Sequence, residues 1–445
     1  MTSANSHHGD IVALDRRHVW HPYTQEQVAP EPIPIVSGQG ALLYDSAGRS
    51  YLDLISSWWV TTHGHAHPVV AAAIARQAQQ LEQVIFAGMT HEPAVQLATR
   101  LTSRLPAGLT RVFYSDDGST AVEVALKMAC QYWINRGEPR NRFLAFEGGY
   151  HGDTVGAMSA GRSSGFFDAF QSMMFQVDTL PFPETWIDDE TVEQKEQQSM
   201  AALNRYLTEQ GKNCAAVIVE PLVQGAAGMR MCRPEFLRCL AATLKAHNVL
   251  LIFDEVMTGF GRTGALFACH KAGVTPDIIC LSKGLTSGFL PLSVTICQES
   301  IYAAFLASGF DHALAHGHSF TANPIGCAAA LASLELFDRD NCMARLVMIE
   351  RLHRERLADL ARHDKAHRWR VMGTIAALDI RTDTTGYHSE VGPRLKRFFL
   401  ERGLLIRPLG NVIYLLPPYC ITESELHRGW NGIEEALNRI TANAN

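Results

Sequence analysis

Val249-Leu-Leu-Ile-Phe-Asp254 and Asp277-Ile-Ile-Cys-Leu-Ser-Lys283-Gly284 are two short apolar runs, each closed by a charged residue. Both have strand length, and neither alternates with polar residues, which is the pattern of strands buried on both faces in a parallel sheet. In such sheets ligands bind beyond the carboxyl ends of the strands, where Asp254 and Lys283 fall. A lone carboxylate and a lone amine at those positions are costly unless something partners them.

Chemistry narrows what that partner is. An amine held at low dielectric gives up its proton readily and becomes a nucleophile toward carbonyls. A group carrying both an aldehyde and a ring nitrogen that must stay protonated would satisfy Lys283 and Asp254 together, and pyridoxal phosphate is such a group. Asp254-Glu255 after an apolar run also fits the metal-binding strand of a nucleotide hydrolase. That reading needs a G-x-x-x-x-G-K-[ST] loop, which the chain lacks; Gly211-Lys212 is followed by Asn213 and has no earlier glycine at the required spacing.

The 445 residues suffice for two or three domains, and a hydrophobic share of 47% with 19% charged residues is globular. A net charge of −6 argues against nucleic acid or an anionic membrane as partner. Ten cysteines are scattered without a C-x-x-C pair, so reduced thiols are expected rather than a zinc knuckle or a disulfide framework. Met1 to Arg17 is polar and no apolar stretch has membrane-spanning length, which predicts a soluble, cytoplasmic protein.

From about residue 110 short apolar strands alternate with amphipathic helices. Strands are predicted at Arg111–Ser115, Phe143–Phe146, Ala215–Val219, Val249–Phe253, Ile278–Leu281 and Leu292–Ile296, and helices at Thr120–Trp133 and Pro234–His247. This is an α/β pattern with a mostly parallel central sheet sandwiched by helices. Before it, a hairpin is expected around Leu42–Gly48 and a helix from Pro68 to about Leu81. After Asn323-Pro324, a helix over Ile325–Phe337, a basic helical region and short strands near Val371–Ile380 and Val412–Leu416 suggest a smaller α+β domain. The expected division is 1–70 joining the small domain, 71–330 as the large domain and 331–445 as the small one.

Tyr114-Ser-Asp-Asp-Gly118-Ser119-Thr120-Ala-Val-Glu123 reads as strand, glycine turn and helix start, with Thr120 and Glu123 at capping-box spacing. Gly118 allows close backbone approach and Ser119 adds a hydroxyl, so the helix start suits a phosphate. Glu147-Gly-Gly-Tyr150-His151-Gly152-Asp153 follows another strand end and can lay Tyr150 flat over a planar ring. His63, His65 and His67, and His312, His316 and His318, sit in glycine-bearing loops with no completing Cys or carboxylate, and no metal is expected.

Asp254-Glu-Val-Met-Thr-Gly-Phe-Gly-Arg-Thr-Gly264, with Pro276-Asp277 and Leu281-Ser-Lys283-Gly284, resembles the signature of the class III aminotransferases. The likeness extends through Gly64-His-Ala-His-Pro68, Gly118-Ser119, Tyr150-His151-Gly152, Glu220-Pro-Leu-Val-Gln-Gly225 and Ser319-Phe-Thr-Ala-Asn-Pro324, most of the chain. The resemblance implies the fold-type I pyridoxal-phosphate architecture and a homodimer with shared active sites.

A narrower likeness rests on His18-Val-Trp-His-Pro-Tyr23-Thr24, Ser56-Ser-Trp58-Trp59, Arg407-Pro-Leu-Gly410 and Ile413-Tyr414-Leu-Leu-Pro-Pro-Tyr419. These resemble the branch that uses S-adenosylmethionine as amino donor and 8-amino-7-oxononanoate as acceptor, in biotin biosynthesis. By that resemblance Lys283 carries the cofactor and moves the proton, Asp254 holds the pyridinium proton, and Tyr23 belongs with them in the catalytic set. Tyr150 stacks on the ring, Gly118 and Ser119 bind the phosphate, and the partner subunit's turn brings His318 and Ser319 to it, with Gly317 against the substrate. Arg407 pairs with the acceptor carboxylate, Tyr23, Trp58 and Tyr414 form an aromatic wall, and Asp153 and Arg262 shape the pocket.

Two departures qualify the family pattern. Met257 stands where ornithine- and 4-aminobutyrate-using relatives carry Gln. Gly317-His318-Ser319 replaces the expected Gly-Pro-Thr and keeps the hydroxyl. An ω-amine/pyruvate aminotransferase and a lysine-using member of the same branch remain the alternatives.

Overall fold

A computed structural model describes residues 11–162, 165–383, 386 and 389–440. Its centre is a seven-stranded sheet in the order Leu109–Ser115, Ser293–Gln298, Ile278–Leu281, Leu250–Asp254, Cys214–Val219, Arg142–Phe146 and Val177–Leu180. The last five pair in parallel; Ser293–Gln298 runs antiparallel to both its neighbours. The α/β, mostly parallel sheet expected from the apolar runs is the one formed.

Every residue of Cys214–Val219, Leu250–Asp254 and Ile278–Leu281 is buried. Their side chains alternate between two separate cores. Val217, Leu251, Phe253, Ile279 and Leu281 enter one, while Ala216, Ile218, Leu250, Ile252 and Ile278 enter the other with the helix Gly118–Asn135. Two covered faces explain why these strands show no polar alternation.

Several elements escaped the sequence, among them the helix Glu92–Thr102, an edge strand and a long polar helix. The edge strand Val177–Leu180 is short, and its Asp178 pairs with Arg142 of the next strand at 2.7 Å. The polar stretch after residue 180 leads into a 19-residue helix, Val192–Gln210, of which Ser199, Leu203 and Leu207 are buried. That four-residue spacing is a single row on one helix face, too narrow an apolar stripe to stand out among Glu, Gln and Lys.

The two ends of the chain meet. Strands Ile35–Gln39, Leu42–Asp45 and Ser50–Asp53 form a meander, and Leu404–Leu405 adds to it in parallel, Leu404 opposite Leu52. A further antiparallel sheet comprises Ala366–Met372, Ile375–Ile380 and Val412–Leu415. Arg262, 1% exposed, ties both ends to the large sheet: its guanidinium donates to the carbonyls of Thr61 (3.1 Å) and Pro417 (3.0 Å). Among the described residues no helix is long and apolar enough to cross a membrane.

Candidate functional site

A cavity of about 550 Å³ lies beyond the carboxyl ends of the parallel strands and gathers residues from across the chain. Asp254 and Lys283 both line it, with Gly118, Ser119, Tyr150, His151 and Glu220. The separation of these positions in sequence is bridged by the sheet, whose strand ends share one edge.

Lys283 opens a short 3₁₀ turn, Lys283–Thr286, with a left-handed φ of 44°. Such strain in a non-glycine residue costs about 1–3 kcal/mol and is characteristic of functional positions. The side chain is half-buried at the cavity wall, its Nζ 5.2 Å from the centroid of Trp59. Desolvation lowers its pKa, against the opposing pull of Asp254 and Glu220. An amine so placed loses its proton more easily than a surface lysine.

Asp254 is 4% exposed; its Oδ2 lies 2.7 Å from Nδ1 of buried His151, and its Oδ1 accepts the Val256 amide. Burial works against a charge on His151, but the hydrogen bond and charge of Asp254 outweigh it and raise the histidine pKa. The sequence quoted His151 only as a motif neighbour of Tyr150. Its role depends on Asp254, 103 positions away, and no local signal announces it.

The phosphate cradle differs in detail from the expected one. The cap of helix Gly118–Asn135 is Asp117, whose carboxylate accepts from the Thr120 amide at 2.9 Å, while the Thr120 hydroxyl accepts from the Asp117 amide. The capping box is therefore Asp117 with Thr120, not Thr120 with Glu123. Glu123 turns away to accept the Gly156 and Ala157 amides. Among the described residues no hydrogen bond engages the amides of Gly118 or Ser119, the open donors of a helix start.

The fit for a phosphate is tight. A Cβ on Gly118 would come within 2.5 Å of Val256, and one on Gly152, where φ is +123°, within 2.3 Å of Ser119. Backbone approaches the cradle only because both side chains are missing. Ser119 Oγ is held 2.7 Å from Thr154 Oγ1 and accepts the Thr154 amide. An anion site, an amine with lowered pKa and a buried carboxylate braced by a histidine together fit pyridoxal phosphate.

An aromatic group adjoins the cavity-lining residues Tyr150, Asp153 and Trp59. Tyr23 and Tyr150 both donate to Oδ1 of Asp153, at 2.7 and 3.0 Å. Burial, with the Tyr23 and Asp153 interactions, pushes the Tyr150 phenol well above its usual pKa. Trp58 meets Tyr23 edge-on at 5.9 Å, and the Arg407 guanidinium lies 4.7 Å from the Trp58 ring centre. The tryptophans sit on a strained segment: Ser56, Ser57 and Trp59 all have positive φ. Asp53 fixes that segment by accepting the amides of Ile55 and Ser57, and Ser56 Oγ donates to the Leu416 carbonyl.

Tyr23, Trp58 and Arg407 are not among the residues that line the cavity, Tyr23 reaching it through Asp153, and five further expected residues lie elsewhere. Tyr414 is 1% exposed and stands behind Trp59, whose Nε1 donates to its hydroxyl at 2.9 Å; it supports the wall rather than facing the cavity. Arg262 likewise holds backbone and does not line the cavity. Gly317, His318 and Ser319 are absent from the lining of their own chain's cavity, and the Ser319 carbonyl accepts from Gln83 at 2.9 Å. The histidine loops are engaged structurally, His65 with Asp53 at 2.9 Å and His63 with the Ser333 carbonyl at 3.0 Å. Among the described residues no group of three or more His, Cys, Asp or Glu is placed to hold a metal ion.

The family model described as aminotransferase class-III matches residues 23–437. The adenosylmethionine-8-amino-7-oxononanoate aminotransferase of Synechococcus elongatus is 56% identical over 95% of this chain and 99% of its own length. The crystal structure of the enzyme of that name from Methanocaldococcus jannaschii superposes with a TM-score of 0.90 at 35% identity, covering 97% of this chain and 99% of the other. An amine transaminase from an uncultivated Pseudomonas species, solved in its PLP-bound form, gives a TM-score of 0.88 at 33% identity, over 95% and 98% of the two chains.

Proposed function

The chain belongs to the class III aminotransferases and uses pyridoxal phosphate, and from that premise we propose that it transfers the amino group of S-adenosylmethionine to 8-amino-7-oxononanoate, giving 7,8-diaminononanoate for biotin synthesis. The observation that carries the reading is the 56% identity, across nearly both full lengths, to a relative bearing that activity in its name. The segments that distinguish the branch in sequence include Tyr23, Trp58 and Arg407, which stand in contact as one row.

Bound pyridoxal phosphate supplies an aldehyde that primary amines can join and a protonated ring that withdraws electrons from the adjoining carbon. The rest is work for the protein. Gly118 and Ser119 would hold the phosphate through amides and a hydroxyl at the helix start. Asp254 would keep a proton on the ring nitrogen, and His151, 2.7 Å away, would hold its carboxylate in orientation. Tyr150 would cover one face of the ring. Lys283 would carry the aldehyde carbon between turnovers and, once displaced, take the proton from the amine-bearing carbon as base and return it as acid.

Substrate recognition follows from the outer residues. Tyr23 and Trp58 offer π faces to the sulfonium cation of the donor. Arg407, whose guanidinium is a rigid fork, suits the carboxylate of the acceptor. The second substrate enters the same site after the first product leaves, so the kinetics are ping-pong. We further propose a homodimer in which the partner copy of the turn Gly317-His318-Ser319 completes the phosphate and substrate contacts, the position of that turn outside its own cavity being the supporting observation.

The test is a donor screen on the holoenzyme. S-adenosylmethionine should bleach the cofactor absorption band and oxononanoate should restore it, with diaminononanoate identified by mass. Bleaching by lysine or alanine but not by S-adenosylmethionine would overturn the donor assignment. Lys283→Ala should lose the lysine-dependent band and turnover; a retained band and normal rate would overturn the role of Lys283.

A further inference from the structure

Thr154 stands at the cap position of the helix Val155–Ala160, yet its side chain makes no capping bond there. A threonine at that place usually accepts one of the open amides of the first turn. Here Glu123 takes them instead, its Oε1 accepting from Gly156 at 2.5 Å and from Ala157 at 3.1 Å. The approach depends on a bare Gly156, since a Cβ there would come within 2.3 Å of the Glu123 carboxylate. A carboxylate from the neighbouring helix Gly118–Asn135 thus does the capping, and the Thr154 hydroxyl need not turn to its own helix.

It turns to Ser119. The two hydroxyl oxygens lie 2.7 Å apart, and the Thr154 amide donates to Ser119 Oγ at 2.9 Å. Both residues line the cavity. A serine hydroxyl can accept two hydrogen bonds and donate one. The Thr154 amide fills one acceptor position. Were the Ser119 hydrogen spent on Thr154, Ser119 would have none to offer an anion. With the Thr154 hydrogen directed to Ser119, both acceptor positions are filled and the Ser119 hydrogen is left to give. An anion at the helix start can only accept, so it selects the second arrangement.

We propose that Thr154 is a positioning residue for the cofactor phosphate, with Glu123 as the surrogate cap that frees it. The Thr154 hydroxyl donates to Ser119 and so directs the Ser119 hydrogen to the phosphate. The bonds from Thr154 through Ser119 to the anion run in one sense, and each polarises the next. Thr154 acts through Ser119 and not as a ligand itself. Its role presupposes that Gly118 and Ser119 hold the phosphate, and adds what aims the hydroxyl.

Apoprotein is titrated with pyridoxal phosphate and, separately, with pyridoxal, which lacks the phosphate. The proteins are wild type, Thr154→Val, Thr154→Ser and Ser119→Ala. Thr154→Val keeps the branched shape and the backbone amide and loses the hydroxyl. Its dissociation constant for pyridoxal phosphate should rise about three- to tenfold, the worth of one neutral hydrogen bond, with that for pyridoxal unchanged. Thr154→Ser should restore wild-type affinity. In a Ser119→Ala background the Val substitution should add no further loss. The phosphorus-31 resonance of bound cofactor should move in Thr154→Val and return in Thr154→Ser, a readout independent of turnover.

Equal weakening toward both ligands would mark a merely structural role and overturn the proposal. So would an unchanged affinity for pyridoxal phosphate, or a loss that persists in full when Ser119 is replaced. Thr154→Ala reads the same contrast should the Val variant fail to fold by circular dichroism. Failure of the underlying site reading would look different: Ser119→Ala alone would then leave the preference for pyridoxal phosphate over pyridoxal intact.

Discussion

Nδ1 of His151 and Oδ2 of Asp254 lie 2.7 Å apart in a contact from which water is almost wholly excluded, His151 being 4% exposed like Asp254. Because His151 titrates above its ordinary 6.5 in the folded chain, the stabilisation it gives is complete below that value and is lost as pH rises through the folded pKa. Glu220 and Glu255, both lifted by burial to about 7, work in the same sense, favouring the fold less as they ionise between their ordinary 4.5 and neutrality. His63 and His353, pushed by burial to about 4, act oppositely and cost stability as pH falls below 6.5.

The apoprotein should therefore show an apparent melting temperature that declines on both sides of a mildly acidic optimum. His151→Gln should flatten the alkaline side and lower the whole curve, since leaving one member of a buried pair alone costs about 3–5 kcal/mol. Differential scanning calorimetry across pH checks it; an alkaline limb identical in slope to wild type would exclude His151 as its source.

Gly152→Ala should be a cofactor-retention mutant. The new methyl carbon would fall on Ser119 at 2.3 Å, and the φ of +123° adds strain. Overpacking of this kind costs about 1–3 kcal/mol. Equilibrium dialysis should show cofactor affinity reduced by tenfold or more while circular dichroism stays close to wild type.

Arg407→Ala should separate the two half-reactions. Loss of a charge-assisted hydrogen bond is worth about 1.5–3 kcal/mol, so kcat/KM for the oxononanoate should drop roughly ten- to a hundredfold. The donor half-reaction should change much less, and Arg407→Lys should recover only part of the loss because a point charge replaces a fork. Single-turnover kinetics with each substrate distinguish these outcomes.

Asp153→Ala should release both tyrosine hydroxyls at once, as Tyr23 and Tyr150 share its Oδ1. Its effect should equal that of Tyr23→Phe combined with Tyr150→Phe instead of adding to it, which a mutant cycle measures.

These residues also mark what the sequence could and could not reveal. The strand ends were legible because Val249–Phe253 and Ile278–Leu281 face two cores and so carry apolar residues at every position. Val177–Leu180 was not, because Asp178 at the sheet edge pairs with Arg142 and breaks the apolar run. Lys283, Asp254 and the glycine cradle were readable as residue types in local context. Tyr23 with Asp153, Asp254 with His151 and Tyr414 with Trp59 are pairs separated by 130, 103 and 355 positions. Only the assembled fold says which member faces the cavity and which stands behind it. Asp117 displaced the predicted cap because its carboxylate takes the Thr120 amide, starting the helix nearly one turn before a box of Thr120 with Glu123 could.

The parallel pairing of Leu404–Leu405 with Leu52–Asp53 has a temporal consequence. On the ribosome the first meander emerges early and keeps one edge strand unsatisfied until some 350 further residues have been made. The segment bearing Trp58 and Trp59 depends likewise on Leu416 and Pro417, made later still. The binding site is thus the last region to mature, after the central sheet has had time to form, and a nascent or truncated chain presents a sticky strand edge in place of an enzyme.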